Sequence, residues 1–265
     1  MKYRLIAIDL DGTVVNQEGT IIPSAKKAVQ RAIDSGMKVT LATGRMYKPS
    51  NRFAQELRLS VPLICYQGAL IREPFNGHVV WHKPLSVLTA RKVIETARQM
   101  GTHQYVYLDD EMYVEEIVEK DQWYAQRNGV ELNLVEDFLT FLKRQPTEIA
   151  CRGKPAEIDR LIAYLNVSFG SGLLVTKVSS SFCEIGHPTS GKGNALKYLA
   201  KLLGIEQSQT VAVGDGPNDI SMLKWAGLGI VIGNAPEEVT TAADWVVGTE
   251  TMDGFAQAME KLLDM

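Results

Sequence analysis

Residues 3–13 read YRLIAIDLDGT, and the reading of this stretch decides the fold. The apolar run Leu5-Ile6-Ala7-Ile8 passes directly into Asp9, and Asp11, Gly12 and Thr13 follow. A continuous apolar run of this length fits a strand covered on both faces in a parallel sheet, here predicted over Tyr3 to Leu10. Helical spacing comes next at Ala25, Ala28, Val29, Ala32 and Ile33, with Gly36 as its stop. Met37 to Ala42 reads as a second strand ending at Thr43-Gly44-Arg45. A helix around Pro49 to Leu57 and a strand at Pro62 to Tyr66 continue the pattern. Such β-α-β-α-β alternation predicts an α/β fold, a Rossmann-like doubly wound parallel sheet flanked by helices.

The C-terminal part repeats the alternation. Gly191 to Leu203 predicts a helix, and Thr210 to Val213 a strand that runs into Gly214-Asp215-Gly216. A helix at Asp219 to Trp225, strands at Leu228 to Ile232 and Trp245 to Val247, and a helix at Met252 to Leu263 complete it. The middle differs in texture. It holds predicted strands at His103 to Leu108, Met112 to Val114, Leu173 to Val178 and Ser181 to Ile185, and a helix at Ala156 to Leu165. We expect residues 85–186 to form an inserted α+β cap domain within a core domain made of residues 1–84 and 187–265.

Bulk composition narrows the function classes. Of 265 residues 45% are hydrophobic, enough for a large core, and the net charge of −3 offers no basic field for nucleic acid or anionic membrane. Cys65, Cys151 and Cys183 are odd in number and far apart, which argues against a disulfide framework or a zinc site. Leu5 to Ile8 is far too short for a signal-peptide core, and no apolar run approaches the roughly 20 residues of a membrane span. A cytoplasmic protein is expected.

Ligands of open parallel sheets bind at the carboxyl ends of the strands. Four polar clusters are predicted there or at a helix start: Asp9/Asp11, Thr43/Gly44/Arg45, Lys192, and Asp215/Asn218/Asp219. Each alone fits a turn, a helix cap or a surface lysine as well as an active site. Their convergence on one rim fits phosphoryl transfer. Asp9 can be a nucleophile if a metal and donors neutralise the approaching phosphate. Asp11 can protonate the leaving oxygen and later take a proton from water. Gly12 lets backbone N–H groups approach phosphate. Asp215 and Asp219 add oxygen ligands suited to Mg²⁺. Lys192 adds positive charge at a helix N-terminus, Thr43 a hydroxyl and Gly44 an open amide.

Three other motifs fail on inspection. Residues 186–192, GHPTSGK, match a P-loop, but Gly193 stands where a Ser or Thr would bind Mg²⁺. Asp9-x-Asp11-Gly12 lacks the third ligand before glycine and the terminal Glu of an EF-hand, with Thr20 at its twelfth position. Gly214-x-Gly216-x-x-Asp219 lacks the third glycine of a dinucleotide fingerprint.

As an ordered set, Asp9-Leu10-Asp11-Gly12-Thr13, Thr43-Gly44-Arg45, Lys192-Gly193 and Gly214-Asp215-Gly216-Pro217-Asn218-Asp219 resemble the four motifs of the haloacid dehalogenase superfamily. The place of the insert and Ile232-Gly233-Asn234-Ala235 resemble its Cof-type, type-IIB-capped phosphatases. The resemblance implies Asp9 as nucleophile and magnesium ligand. It implies Asp11 as general acid/base, also binding magnesium through its carbonyl, and Thr43, Gly44 and Lys192 on the phosphoryl group. Asp215 would bind magnesium, Asp219 would support that site, and Asn218 would reach toward phosphate or Lys192. Arg45 and Gly12 are possible substrate contacts. The implied substrates are small phosphorylated metabolites such as sugar phosphates. Two departures bear on selectivity: Gln67-Gly68-Ala69 stands where many relatives carry Asn-Gly-Ala, and Gly191 where they often carry Ser.

Two rivals share the acidic cluster. A receiver-type phospho-acceptor switch would gain nothing from Asp11, which favours hydrolysis of the phosphorylated aspartate. A phosphoryl mutase would need that intermediate to survive until a second substrate position arrives.

Overall fold

The computed structural model describes residues 2–248 and 253–265. It comprises two units, residues 1–81 with 191–265, and residues 82–190. These divisions lie a few residues from those expected at 84 and 187. The chain first builds β1 (Leu5–Ile8), α1 (Pro23–Asp34), β2 (Lys38–Leu41), α2 (Tyr47–Glu56), β3 (Leu63–Cys65), β4 (Leu70–Arg72) and β5 (Val79–His82). The second unit contains α3 (Val87–Gln99), β6 (His103–Leu108), β7 (Glu111–Val114), α4 (Glu119–Asn128), β8 (Leu132–Leu134), α5 (Phe138–Phe141), β9 (Glu148–Arg152), α6 (Pro155–Phe169), β10 (Leu174–Ser179) and β11 (Phe182–Gly186). The first unit resumes with α7 (Lys192–Leu202), β12 (Thr210–Gly214), α8 (Ile220–Trp225), β13 (Leu228–Ile232), α9 (Glu237–Thr240), β14 (Trp245–Val247) and α10 (Gly254–Leu263). Of the last predicted helix, Met252 lies outside the described residues.

The first unit carries a parallel sheet in the order β14-β13-β12-β1-β2. β1 is an interior strand, with Leu5 opposite both Thr210 of β12 and Lys38 of β2. All four β1 residues are inaccessible to solvent, which is why the run is apolar without alternation. Leu5 and Ala7 share a core with Ala195, Leu196 and Leu199 of α7 and Met222 and Leu223 of α8. α1 and α10 pack on each other and reach β2 and β13. Helices thus supply the apolar surface that the strands require, and truncating one such leucine to alanine costs about 2–5 kcal/mol. A parallel bridge, Ala42 to Ile64, brings β3 alongside β2. β3 then turns back into β4 in antiparallel register, Cys65 opposite Leu70.

The second unit is an α+β layer with sheet order β10-β11-β9-β6-β7-β8. Its pairings are antiparallel apart from β7 with β8. Ala90, Val93, Ile94 and Ala97 of α3 and Ile158, Leu161 and Leu165 of α6 cover Val106, Ile149, Cys151 and Ile185. β6 and β7 are joined through Asp109 and Asp110, both at positive φ (54° and 62°), the backbone of a tight two-residue hairpin turn. The three cysteines are free and buried. Among the described residues no helix is long and apolar enough to cross a membrane.

Candidate active site

Three of the four polar clusters sit at strand ends of the five-stranded sheet, and Lys192 sits at a helix start. Asp9 extends β1 by one residue, its N–H donating to the Val213 carbonyl at 2.8 Å. That anchors a largely buried carboxylate at the rim. The chain then turns: Val14 and Val15 both donate to the Leu10 carbonyl, and Gly12 takes φ +79°. A Cβ at Gly12 would lie 2.5 Å from Asp215 Oδ2, so glycine is required both for the turn and for the approach of Asp215. Thr13 Oγ1 donates to Asp215 Oδ1 at 3.5 Å.

Thr43 leaves β2 and donates its N–H to Ile64. Its buried hydroxyl oxygen accepts the Arg45 N–H at 3.1 Å, which leaves the hydroxyl proton available to a ligand. Gly44 lies between them, half-buried. Lys192 opens α7 after Gly191, whose φ is +114°. Its ammonium is fully buried and donates to Asp9 Oδ1 at 2.5 Å and Asp219 Oδ1 at 2.6 Å. Two of the three N–H donors of Lys192 thus go to carboxylates. Asp219 is fully buried; its Oδ2 accepts the N–H groups of Asp215 and Gly216 at 3.1 and 3.0 Å, which shapes the loop after β12.

One buried cation thus faces three acids. Burial raises the Asp9 carboxyl well above the usual range, and Asp219 and Asp215 add to the rise against the attraction of Lys192. Burial and Asp219 push Asp215 up to about 6. Lys192 loses by burial but gains more from Asp219 and Asp9, so its proton is held more tightly than in water. Such an excess of buried negative charge calls for a further cation.

The donor set fits one. Ligand oxygens of Asp9, Asp215 and Asp219 lie within 4.8 Å of one another, an all-oxygen set suited to a hard divalent ion. Both Asp219 oxygens already accept short hydrogen bonds, whereas Asp215 accepts only a long one, 3.5 Å from Thr13 Oγ1, and Lys192 donates to one oxygen of Asp9.

Two residues sit differently from the simplest expectation. The Asp11 carboxylate stands outside the acidic cluster, half-exposed, in a two-point ion pair with Arg45: Nε to Oδ2 at 2.7 Å and Nη2 to Oδ1 at 2.5 Å. Arg45, expected as a substrate contact, here orients an acid. Asn218 donates its Nδ2 to Gln67 Oε1 at 3.1 Å, where phosphate or Lys192 was the expected partner. The Asp11–Arg45 pair is hard to see in the sequence, because each residue by itself reads as facing a ligand. The only signal for it is that both residues follow adjacent parallel strands by similar distances.

A parallel sheet that gathers a nucleophile-type carboxylate, a buried lysine and two further acids at one rim is the arrangement expected of a hydrolase on a Rossmann-like core. The family model of haloacid dehalogenase-like hydrolases matches residues 6–259, and the chain belongs to that family. The pyridoxal phosphate phosphatase YbhA of Escherichia coli is 30% identical, with 97% of each chain covered. The 5-amino-6-(5-phospho-D-ribitylamino)uracil phosphatase YcsE of Bacillus subtilis is 29% identical over 98% of this chain and 95% of its own. A haloacid dehalogenase-like hydrolase from Bacteroides thetaiotaomicron, 28% identical, superposes with a TM-score of 0.88 over 98% of this chain and 100% of its own. The subclass IIB sugar phosphatase BT4131 shares the fold at a TM-score of 0.85, with 21% identity over 99% and 100% of the two chains.

Proposed function

We propose that the protein is a cytoplasmic Mg²⁺-dependent phosphatase that hydrolyses small phosphomonoesters through an aspartyl-phosphate on Asp9. The observation that carries this reading is the 2.5 Å contact of Asp9 with fully buried Lys192, beside Asp215 and Asp219, while Asp11 stands apart on Arg45. Asp9 attacks phosphorus with its second carboxylate oxygen. The Thr43 hydroxyl, the Gly44 N–H and the Lys192 ammonium hold the phosphoryl oxygens, placed where negative charge spreads in the transition state. Asp11 must leave its ion pair with Arg45 and take up a solvent proton before it can pass that proton to the departing alkoxide; it then takes one back from the water that displaces Asp9 from phosphorus. Asp9, Asp215 and the Asp11 carbonyl would hold Mg²⁺, with Asp219 as support; when bound, the ion supplies charge neutralisation and alignment of the reacting oxygens.

In this reading residues 85–186 form the cap domain that selects the leaving group. Three free, buried cysteines accord with a reducing compartment. The substrates in the names of YbhA, YcsE and BT4131 make pyridoxal phosphate, phosphorylated ribitylaminouracil and sugar phosphates the first esters to assay. Hydrolysis should require Mg²⁺, stop on chelation, and vanish in Asp9→Asn with the circular dichroism spectrum unchanged. Normal turnover by Asp9→Asn would remove the nucleophile assignment, and activity that survives full chelation would remove the metal.

A further inference from the structure

The loop after β3 takes a costly backbone path. Tyr66, Gln67 and Gly68 are consecutive residues at positive φ, 51°, 51° and 88°. Only the third is a glycine, and a left-handed conformation at other residues persists only where the surroundings impose it. Those surroundings are the polar clusters of the rim. Tyr66 donates its N–H to the Arg45 carbonyl at 3.0 Å, and Gln67 its N–H to the Thr43 carbonyl at 3.2 Å. The Gln67 carbonyl accepts the Gly191 N–H at 2.7 Å, directly before Lys192. Gly68 passes so near that chain that a Cβ on it would lie 2.4 Å from the Gly191 carbonyl oxygen. The Gln67 side chain, buried, accepts from Asn218 Nδ2 at 3.1 Å. One residue is thereby bonded to the Thr43 loop, to the start of the Lys192 helix and to the loop of Asp215 and Asp219.

We infer that Gln67 is a positioning residue of the active site, whose side-chain carbonyl orients the Asn218 carboxamide at the rim while its backbone ties the phosphate-binding loops together. The claim rests on the phosphatase reading. It goes beyond it by giving a task to a residue that carries no chemistry itself. The backbone bonds do not depend on residue type, but the reach to Asn218 does. Asparagine, one methylene shorter, tolerates the left-handed backbone better than glutamine and loses the side-chain contact. Substitution by asparagine therefore separates fold from function: it relaxes the backbone and releases Asn218.

The test is Mg²⁺-dependent hydrolysis of para-nitrophenyl phosphate by wild type, Gln67→Asn, Asn218→Ala and the double variant, with thermal unfolding of each. Gln67→Asn should unfold at or above the wild-type temperature yet lose about fivefold in kcat/KM, the worth of one oriented hydrogen bond. A purely structural role would leave kcat/KM of so stable a variant unchanged. The double variant should be no slower than Asn218→Ala alone, since both changes break the same contact. Wild-type kcat/KM in Gln67→Asn, or losses that multiply in the double variant, would overturn the Gln67 assignment while the phosphatase reading stands. A wild type inert toward every ester tried would overturn that reading and the inference with it.

Discussion

Replacing Asp215 by Asn should stabilise the metal-free protein while crippling it as an enzyme. Asp9, Asp215 and Asp219 bring three negative charges against the single positive charge of Lys192, with ligand oxygens within 4.8 Å of one another. At an effective dielectric constant of about 20, two like charges at that separation repel by about 3–4 kcal/mol. A second route gives a similar figure. Burial and Asp219 raise the Asp215 carboxyl from its ordinary 3.8 to about 6, which corresponds to about 3 kcal/mol of destabilisation at neutral pH. Asp215 keeps some contact with solvent, and screening lowers the expected gain for Asp215→Asn to about 1–3 kcal/mol. The sign with pH follows from the raised value in the folded state. Above about pH 6 the folded protein bears the full cost of the charge; below about pH 4 Asp215 is protonated in both states and the cost is gone. Urea unfolding in the presence of a chelator should therefore show the variant more stable near neutral pH and the two proteins nearly equal near pH 4. Saturating Mg²⁺ should then stabilise wild type more than the variant, because a ligand stabilises by its affinity for the folded state. A variant no more stable than wild type at neutral pH without metal, or a gain that persists near pH 4, would refute the charge-excess argument. An equal response of both proteins to Mg²⁺ would refute Asp215 as its ligand.

Gly12→Ala places a Cβ 2.5 Å from Asp215 Oδ2 at a φ of +79°. It should cost about 1–2 kcal/mol in backbone strain alone and lower kcat/KM by displacing Asp215, measured by urea unfolding and steady-state kinetics. In the second unit, hydrogen bonds from Arg98 and from the Thr140 N–H hold the Asp137 carboxyl down to about 2. A carboxylate depressed in the folded state stabilises above its ordinary range and loses that contribution as pH falls toward the folded value. Asp137→Asn should accordingly lower the urea midpoint at neutral pH and converge on wild type near pH 2; a gap of constant size would show that the charge is irrelevant.

Strand ends were legible because burial on two faces leaves a continuous apolar signature, and β13 and β14 fall where the residues place them. Lys192 begins its helix within a residue of the expected start. The inserted unit read less well. Val87–Gln99 and Glu148–Arg152 were missed: the first mixes buried Ala and Val with many charges, and the second buries Glu148 and Cys151 in a central strand. Within the site, residue types announced the acids and the lysine, but partner choice depended on loop geometry. Nothing in the one-dimensional chain says that Asn218 would meet Gln67, 151 positions away, and the meeting of Arg45 with Asp11, 34 positions apart, is hinted at only by their like offsets from adjacent strands.

The placement of β1 between β2 and β12 also sets a timetable for biosynthesis. Leu5 meets Lys38 early, but its other neighbour, Thr210, is synthesised 205 residues later. At about 5–20 residues per second, one edge of the most apolar strand waits roughly 10–40 s for its partner. During that interval the second unit emerges with a hydrophobic core of its own and can fold before the first unit closes. The nascent chain therefore carries an open, sticky strand edge through most of translation, and Asp9 acquires Lys192 and Asp219 only when the last third of the protein arrives.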